Sequence, residues 1–295
     1  MRERHRVAAI QMVSAPEVAT NLAAAGRLIA EAAAQGAQLV ALPEYFCILG
    51  RHETDKVAVA ERDAAEPGGG GPIQAFLAEA AARNNVWLLG GTIPIVSGEA
   101  GRVRSACLLF DAAGQRVARY DKIHLFSFRQ GSENYDETRT MQAGTQPIVV
   151  ESPFGRLGLS VCYDVRFPEL YRPGIEIRGS APTGAHPGST LQPANTPIDI
   201  WFVPSAFTAT TGAAHWEILL RARAIENLCY VVAPAQGGTH PNGRRTHGHT
   251  MVVGPWGEIL AEQAEGEAVV TADIDPSRIT EVRSSLPALD NRRIP

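Results

Sequence analysis

Cysteine is scarce in this chain: four among 295 residues, at positions 47, 107, 162 and 229, with no Cys-x-x-Cys pair. Such scattering indicates neither a disulfide framework nor a structural zinc site, and it fits a reducing, cytoplasmic setting. Charge of one sign is equally lacking, since 27 Lys and Arg face 31 Asp and Glu, for a net charge of -4 and an isoelectric point near 6.1. Binders of nucleic acid or of anionic membranes usually carry a basic patch, and this balance gives no reason to expect either partner. Aromatic residues make up only 6% and are not interleaved with basic ones, so stacking on bases has no support. No apolar run approaches membrane-spanning length, and after the basic opening Met1 to Arg6 the run Val7-Ala8-Ala9-Ile10 is too short for a secretory core. What remains is an ordinary globular composition, 45% hydrophobic and 20% charged, long enough for one large domain or two small ones, with small molecules as the expected partners.

The chain alternates between strand and helix patterns. Val7 to Met12 reads as a buried strand and Val18 to Gln35 as an Ala-rich helix stopped by Gly36. A strand leading to Glu44, a Pro/Gly loop at 67–72, a second Ala-rich helix and the strand Val86 to Gly91 follow. Ser105 to Phe110 and Gln115 to Tyr120 flank Asp111-Ala112-Ala113-Gly114, which predicts an antiparallel hairpin and hence a mixed sheet. Beyond Cys162 the mixture returns: strand 199–203, helix 213–227, strand 229–233, a hairpin turning at 254–257 and a last strand near 268–274. Two similar α/β halves are expected. One segment departs from the pattern: prolines at 173, 182, 187, 193 and 197, with glycines between them, exclude a continuous helix. It reads as a long surface loop, either a plain excursion or a lid over a site.

Three residues stand where strand-like runs end: Glu44 after Gln38 to Pro43, Lys122 after Gln115 to Asp121, and Cys162 after Gly158 to Val161. A thiol delivered by a strand into a turn is how a nucleophile is presented, provided a base or a cation activates it. Each residue has an ordinary alternative: a packed core cysteine, a solvated loop carboxylate, a surface lysine. Polar residues following Cys162 at once, in Tyr163-Asp164-Val165-Arg166-Phe167-Pro168-Glu169, favour the nucleophile.

Leu42-Pro43-Glu44, then Asp121-Lys122-Ile123-His124-Leu125-Phe126, then Val161-Cys162-Tyr163-Asp164-Val165-Arg166-Phe167-Pro168-Glu169-Leu170 occur in that order. This set resembles the nitrilase superfamily of carbon-nitrogen hydrolases, and the segments 204–208, 212–227 and 248–260 resemble its Nit-like amidase branch. The likeness runs from Val7 to Arg293 and leaves only residues 173 to about 198 without a counterpart. It implies a single 1–295 hydrolase domain, an α/β fold built as a four-layer α-β-β-α sandwich of two mixed sheets, no cofactor, and a homodimer whose interface the 173–198 insertion alters. It also implies a Glu44-Lys122-Cys162 triad with Glu137 beside it; without it, Glu137 reads as a surface loop charge.

By the same resemblance Glu44 serves as general base, Cys162 as the acyl-forming nucleophile, and Lys122 with the Tyr163 N–H as oxyanion donors. Arg166 is a candidate clamp for a substrate carboxylate, or else a structural partner of Glu169 or Asp164, and Thr208 adds a hydroxyl to that pocket. The expected reaction is hydrolysis of a small carboxylate-bearing amide to acid and ammonia, with deaminated glutathione the first substrate by resemblance. Other ω-amides such as 2-oxoglutaramate, N-carbamoyl amino acids or nitriles are alternatives, and a catalytically silent binding scaffold is the rival from another class. His247-Gly248-His249 resembles a metal pair but has no carboxylate or cysteine close in sequence, and no metal site is expected. Gly68 to Gly71 lack the Lys-Ser/Thr of a phosphate loop.

Overall fold

The computed structural model describes residues 4–131, 133–172 and 197–293. Its first sheet has seven strands. His5–Gln11 lies next to one edge, parallel to Leu39–Ala41 and antiparallel to the edge strand Ala268–Ile274. Leu39–Ala41 pairs parallel with Trp87–Leu89, and that strand pairs antiparallel with Val103–Phe110. Val103–Phe110 in turn carries Ile93–Val96 and Arg116–Asp121, both antiparallel. In the second sheet, of six strands, Gly155–Leu159 lies between antiparallel Ile148–Ser152 and parallel Ile200–Phe202. Tyr230–Ala233, Thr250–Val253 and Ile259–Gln263 complete it.

Two-residue periodicity sorts the strands into layers. Val7, Ala9, Leu39, Ala41 and Leu109 join a core with Leu157, Leu159, Ile200 and Phe202 of the other sheet. Ala8, Ile10, Val40, Leu88 and Leu108 face the opposite way, onto Leu28 and Ile29 of helix Val18–Ala34 and Leu77 and Ala81 of helix Pro72–Asn84. Helix Ala209–Asn227 covers the outer side of the second sheet through Trp216, Leu220 and Ala224. The architecture is therefore the expected four-layer sandwich of two mixed sheets.

Most element positions agree with the sequence reading, and the differences have local causes. The helix expected from Ala213 begins at Ala209, because the Thr208 hydroxyl caps the Thr211 N–H at 3.3 Å and Gly212 lies inside the first turn. That glycine is required by packing: a Cβ there would lie 2.3 Å from His247 Cβ. Several elements had no clear signal, among them strands Ile93–Val96 and Ile148–Ser152, the hairpins Ser127–Gln130/Glu133–Asp136 and Gly237–Thr239/Arg245–His247, and helices Asp55–Ala58 and Pro276–Ser285. Apart from Pro197 and Ile198, the loop expected at 173–198 lies outside the described residues. No helix among the described residues is long and apolar enough to cross a membrane.

Candidate active site

The ends of three strands meet between the sheets. Gly155–Leu159 continues through Ser160, whose N–H donates to Phe202 O at 3.1 Å, and the Cys162 N–H donates to Pro204 O at 2.9 Å. There the chain turns sharply, with Cys162 at φ +50°, a left-handed conformation that costs an L-residue about 1 kcal/mol. Asp164, fully buried, holds the turn. One carboxylate oxygen accepts the Val161 N–H at 2.8 Å and the Tyr120 hydroxyl at 2.7 Å. The other accepts the His124 N–H at 3.0 Å and meets the His124 ring at 2.7 Å. Tyr120 and His124 bracket Lys122, so a single carboxylate fixes the Cys162 turn to the segment that carries the lysine.

Glu44 leaves Leu39–Ala41 through Leu42 and Pro43, where Gly91 at φ +52° lets the two backbones touch; a Cβ at Gly91 would stand 2.0 Å from Pro43 O. Its Oε1 accepts Lys122 Nζ at 2.7 Å and its Oε2 accepts the Ala206 N–H at 2.9 Å. Gln236 Nε2 donates to Glu44 O at 3.0 Å. Glu137 opens a short 3-10 turn, Glu137–Arg139, directly after the second strand of the Ser127–Asp136 hairpin. It accepts Lys122 Nζ at 2.8 and 3.1 Å, the Tyr45 hydroxyl at 2.8 Å and the Phe126 N–H at 2.7 Å. Relative exposures of 1% for Glu44, 1% for Lys122 and 7% for Glu137 rule out the solvated-surface alternative for all three.

Two carboxylates on one ammonium leave the cluster with an excess negative charge. Burial pushes the Glu44 carboxyl above its ordinary range; Lys122 opposes this and Glu137 adds to it. Burial acts on Glu137 in the same sense, but Lys122, Lys56 and the Phe126 N–H outweigh it and hold that carboxyl below its usual range. Burial would lower the Lys122 ammonium, yet Glu137 and Glu44 keep it well above normal. For Cys162, burial and then Glu44 drive the thiol well above its ordinary value, against Lys122. These directions favour the Cys162 thiol over its thiolate, and Glu44, toward which that thiol acts as a weak donor, is a carboxylate able to accept a proton from it.

A cavity of about 260 Å³, including its mouth, opens onto this cluster and is lined by Glu44, Glu137, Cys162, Tyr163, Thr208 and Arg244 among others. Tyr163 and Thr208, both expected near the site, are thus cavity-lining residues. Arg166 does not line it: its guanidinium lies 3.2 Å from His215 Nδ1 and over the rings of Tyr163 and Phe207, paired with neither Glu169 nor Asp164. Tyr45, Arg244 and the Ala206 N–H were not foreseen; each reaches the site from a loop whose placement no local pattern reveals. The His247 and His249 rings stack at 4.3 Å, and Glu262 on the adjoining strand takes His249 at 2.5 Å. Among the described residues, no group of three or more His, Cys, Asp or Glu is arranged to hold a metal ion.

A model of the carbon-nitrogen hydrolase family matches residues 6–284. The chain belongs to that family. This carbon-nitrogen hydrolase is 44% identical to Deaminated glutathione amidase of Synechocystis, over 97% of each chain. It is 34% identical to Omega-amidase NIT2 of Homo sapiens, covering 98% of this chain and 95% of that one. Saccharomyces cerevisiae Nit3, described as a member of branch 10 of the nitrilase superfamily, superposes with a TM-score of 0.81 at 27% identity, over 99% of this chain and 97% of the other.

Proposed function

We propose that this hydrolase cleaves a small carboxylate-bearing amide through an acyl-enzyme on Cys162, with deaminated glutathione as the leading substrate. The observation that carries the reading is geometric: a buried thiol and a buried carboxylate, Glu44, line one cavity, and Glu44 is tied to a lysine held by a second carboxylate. The names of the relatives support the substrate class. Glu44 takes the thiol proton as the sulfur attacks the amide carbon. Glu137 engages one Lys122 N–H in a forked bond and Glu44 a second, leaving the third N–H, with that of Tyr163, for the oxyanion. On collapse, Glu44 passes its proton to the departing nitrogen. Water then attacks the thioester, its proton moves to Glu44, and the released thiolate takes that proton back. A primary amide yields ammonia; deaminated glutathione, a substituted amide, yields a dipeptide amine instead. Thr208, sharing its hydroxyl with Thr211 at 2.9 Å, forms part of the substrate wall, and Arg166 backs the aromatic face of Tyr163 and Phe207.

Intact mass after mixing with deaminated glutathione or 2-oxoglutaramate tests the mechanism. The parent protein should gain the acyl mass and release the amine or ammonia, and Cys162→Ala should do neither. A parent that forms no adduct and no product across such amides would be a silent scaffold. The second reading, an ω-amidase, draws on the narrow cavity, which lies below the usual volume of ligand sites. Faster turnover of 2-oxoglutaramate than of deaminated glutathione would establish it. We also propose that residues 1–295 act as one domain, as a homodimer in the cytoplasm. Exposed Ile218 and Ile225 on helix Ala209–Asn227, with Trp256 nearby in the chain fold, support association. The insertion leaves the described structure at Arg172, which donates to Glu226 O at 3.1 Å near the end of that helix, consistent with its altering the interface. Sedimentation showing a monomer at micromolar concentration would exclude the dimer.

A further inference from the structure

The catalytic cavity contains a cation that the steps above leave unused. Arg244 stands just before strand Arg245–His247 and lines the cavity with Glu44, Cys162 and Thr208. Its backbone is fixed: the Arg244 N–H donates to Asn242 Oδ1 at 2.9 Å, and Asn242 Nδ2 donates to Gly50 O at 2.6 Å. The guanidinium lies 5.0 Å from the Tyr135 ring centre, and Nη2 donates to Ala206 O at 3.1 Å. Ala206 is the residue whose N–H holds Glu44 at 2.9 Å, so one peptide links this cation to the proposed base.

What Arg244 lacks is an anion. Among the described residues it makes no ion pair within 4.0 Å, and its Nε is buried with no acceptor. The acids around it are engaged elsewhere: Glu53 with Lys56 at 2.7 Å, Glu44 with Lys122 at 2.7 Å and Glu137 with Lys122 at 2.8 Å. Arg244 is half-buried, but a buried Nε–H left idle is unfavourable unless a ligand completes it, and a carboxylate fits the guanidinium fork best. Charge balance points the same way. Glu44 and Glu137 against Lys122 leave the cavity with one excess negative charge, which would repel an anionic amide, and Arg244 cancels it.

We propose that Arg244 is the specificity-determining residue of this site, receiving a carboxylate on the acyl half of the amide through its free Nε and neighbouring Nη hydrogens. This rests on the amidase reading, and it assigns to Arg244 the clamp expected of Arg166, whose guanidinium is turned to His215 and two rings. The test compares glutaramate with pentanamide, an anionic and a neutral primary amide of equal chain length. In Arg244→Met the ratio of their kcat/KM values should fall about 30-fold or more, chiefly through KM for glutaramate, and Arg244→Lys should restore part of it. An unchanged ratio, or an equal loss on both amides, overturns the proposal. A second measurement needs no turnover: glutarate binding to Cys162→Ala, by calorimetry, should weaken about 30-fold when Arg244→Met is added. A parent inert toward both amides that still binds glutarate through Arg244 would count against the amidase reading while keeping Arg244 as the carboxylate-binding residue of the cavity; glutarate binding indifferent to Arg244 would sink the present proposal.

Discussion

Two buried ion clusters hang on the strand Arg116–Asp121, and they are near mirror images. At its exit one cation, Lys122, holds two carboxylates, Glu44 and Glu137. Along its length one carboxylate, Asp63, holds two cations, Arg116 and Arg119. Burial pushes Asp63 up, but the Ala65 N–H and both guanidinium groups outweigh it and bring its carboxyl down to about 2. In the lysine cluster the outcome splits: Glu137 is held low, while Glu44 is left above its ordinary range beside a thiol also driven up. A cluster that only ties segments together saturates its odd charge. The other leaves one carboxylate, Glu44, raised in proton affinity beside a thiol, as the general base proposed above requires.

The largest effect expected to separate the two clusters is on rate. Glu44→Gln should lower kcat by about three to four powers of ten, since the amide keeps the hydrogen-bonding shape but cannot take the thiol proton. Cys162 alkylation by iodoacetamide, followed by intact mass, should slow in parallel. Cys47, Cys107 and Cys229, all fully buried with their thiols pushed up by burial, should stay unmodified in the folded protein. Rapid alkylation in Glu44→Gln would mean that the thiol does not depend on this base.

Acid should separate them next. Catalysis needs Glu44 without its proton, so kcat/KM should fall as pH drops through the raised Glu44 value, above the ordinary carboxylate range. Asp63 has the opposite sign: its folded value lies below its unfolded one, so it contributes stability at neutral pH. That contribution is lost only as pH falls from about 4 toward 2. Activity should therefore disappear at a higher pH than folded structure does. Coincident loss of kcat/KM and of the circular dichroism signal would break the comparison.

Asp63→Asn should then cost about 2 kcal/mol of stability, read as a lower urea midpoint, because it removes the carboxylate that Arg116 and Arg119 share and leaves Arg119 to Asp121 at 2.8 Å. Its kcat/KM should stay within about twofold of the parent's. A large rate loss in Asp63→Asn would show that the strand transmits strain from one cluster to the other.

The two clusters were also unequally legible in the sequence. Cys162, Glu44 and Lys122 each follow an apolar run, so local pattern marked them as strand exits and the family resemblance grouped them. Glu137 follows a short, exposed hairpin strand with no apolar signature, and only the resemblance singled it out. Arg244, Tyr45 and the Ala206 N–H were missed for one physical reason: periodicity tells which face of an element a residue occupies, not which distant loop it meets. The Arg244–Ala206 bond spans 38 residues and the Tyr45–Glu137 bond 92. Arg166 shows the converse. Its place four residues after the nucleophile suggested a clamp, but the turn at Cys162 carries it behind Tyr163, against His215.

The smallest effect tests the lysine cluster from its far side. Tyr45 lies at φ +57°, its N–H held by Thr92 Oγ1 at 3.0 Å, and its hydroxyl donates to Glu137 at 2.8 Å. Burial, then Glu137 and Glu44, keep that phenol well above its ordinary value, so it acts only as a donor. Tyr45→Phe keeps the ring and removes one hydrogen bond from a buried carboxylate, worth about 1 kcal/mol. Glu137 then holds its negative charge less firmly and grips Lys122 less well, which loosens the ammonium that must turn toward the oxyanion. The expected result is a fall in kcat of about fivefold with KM nearly unchanged, and an added Glu137→Gln should leave little further effect of Tyr45→Phe. If KM rises while kcat holds, Tyr45 acts on the substrate rather than through Glu137.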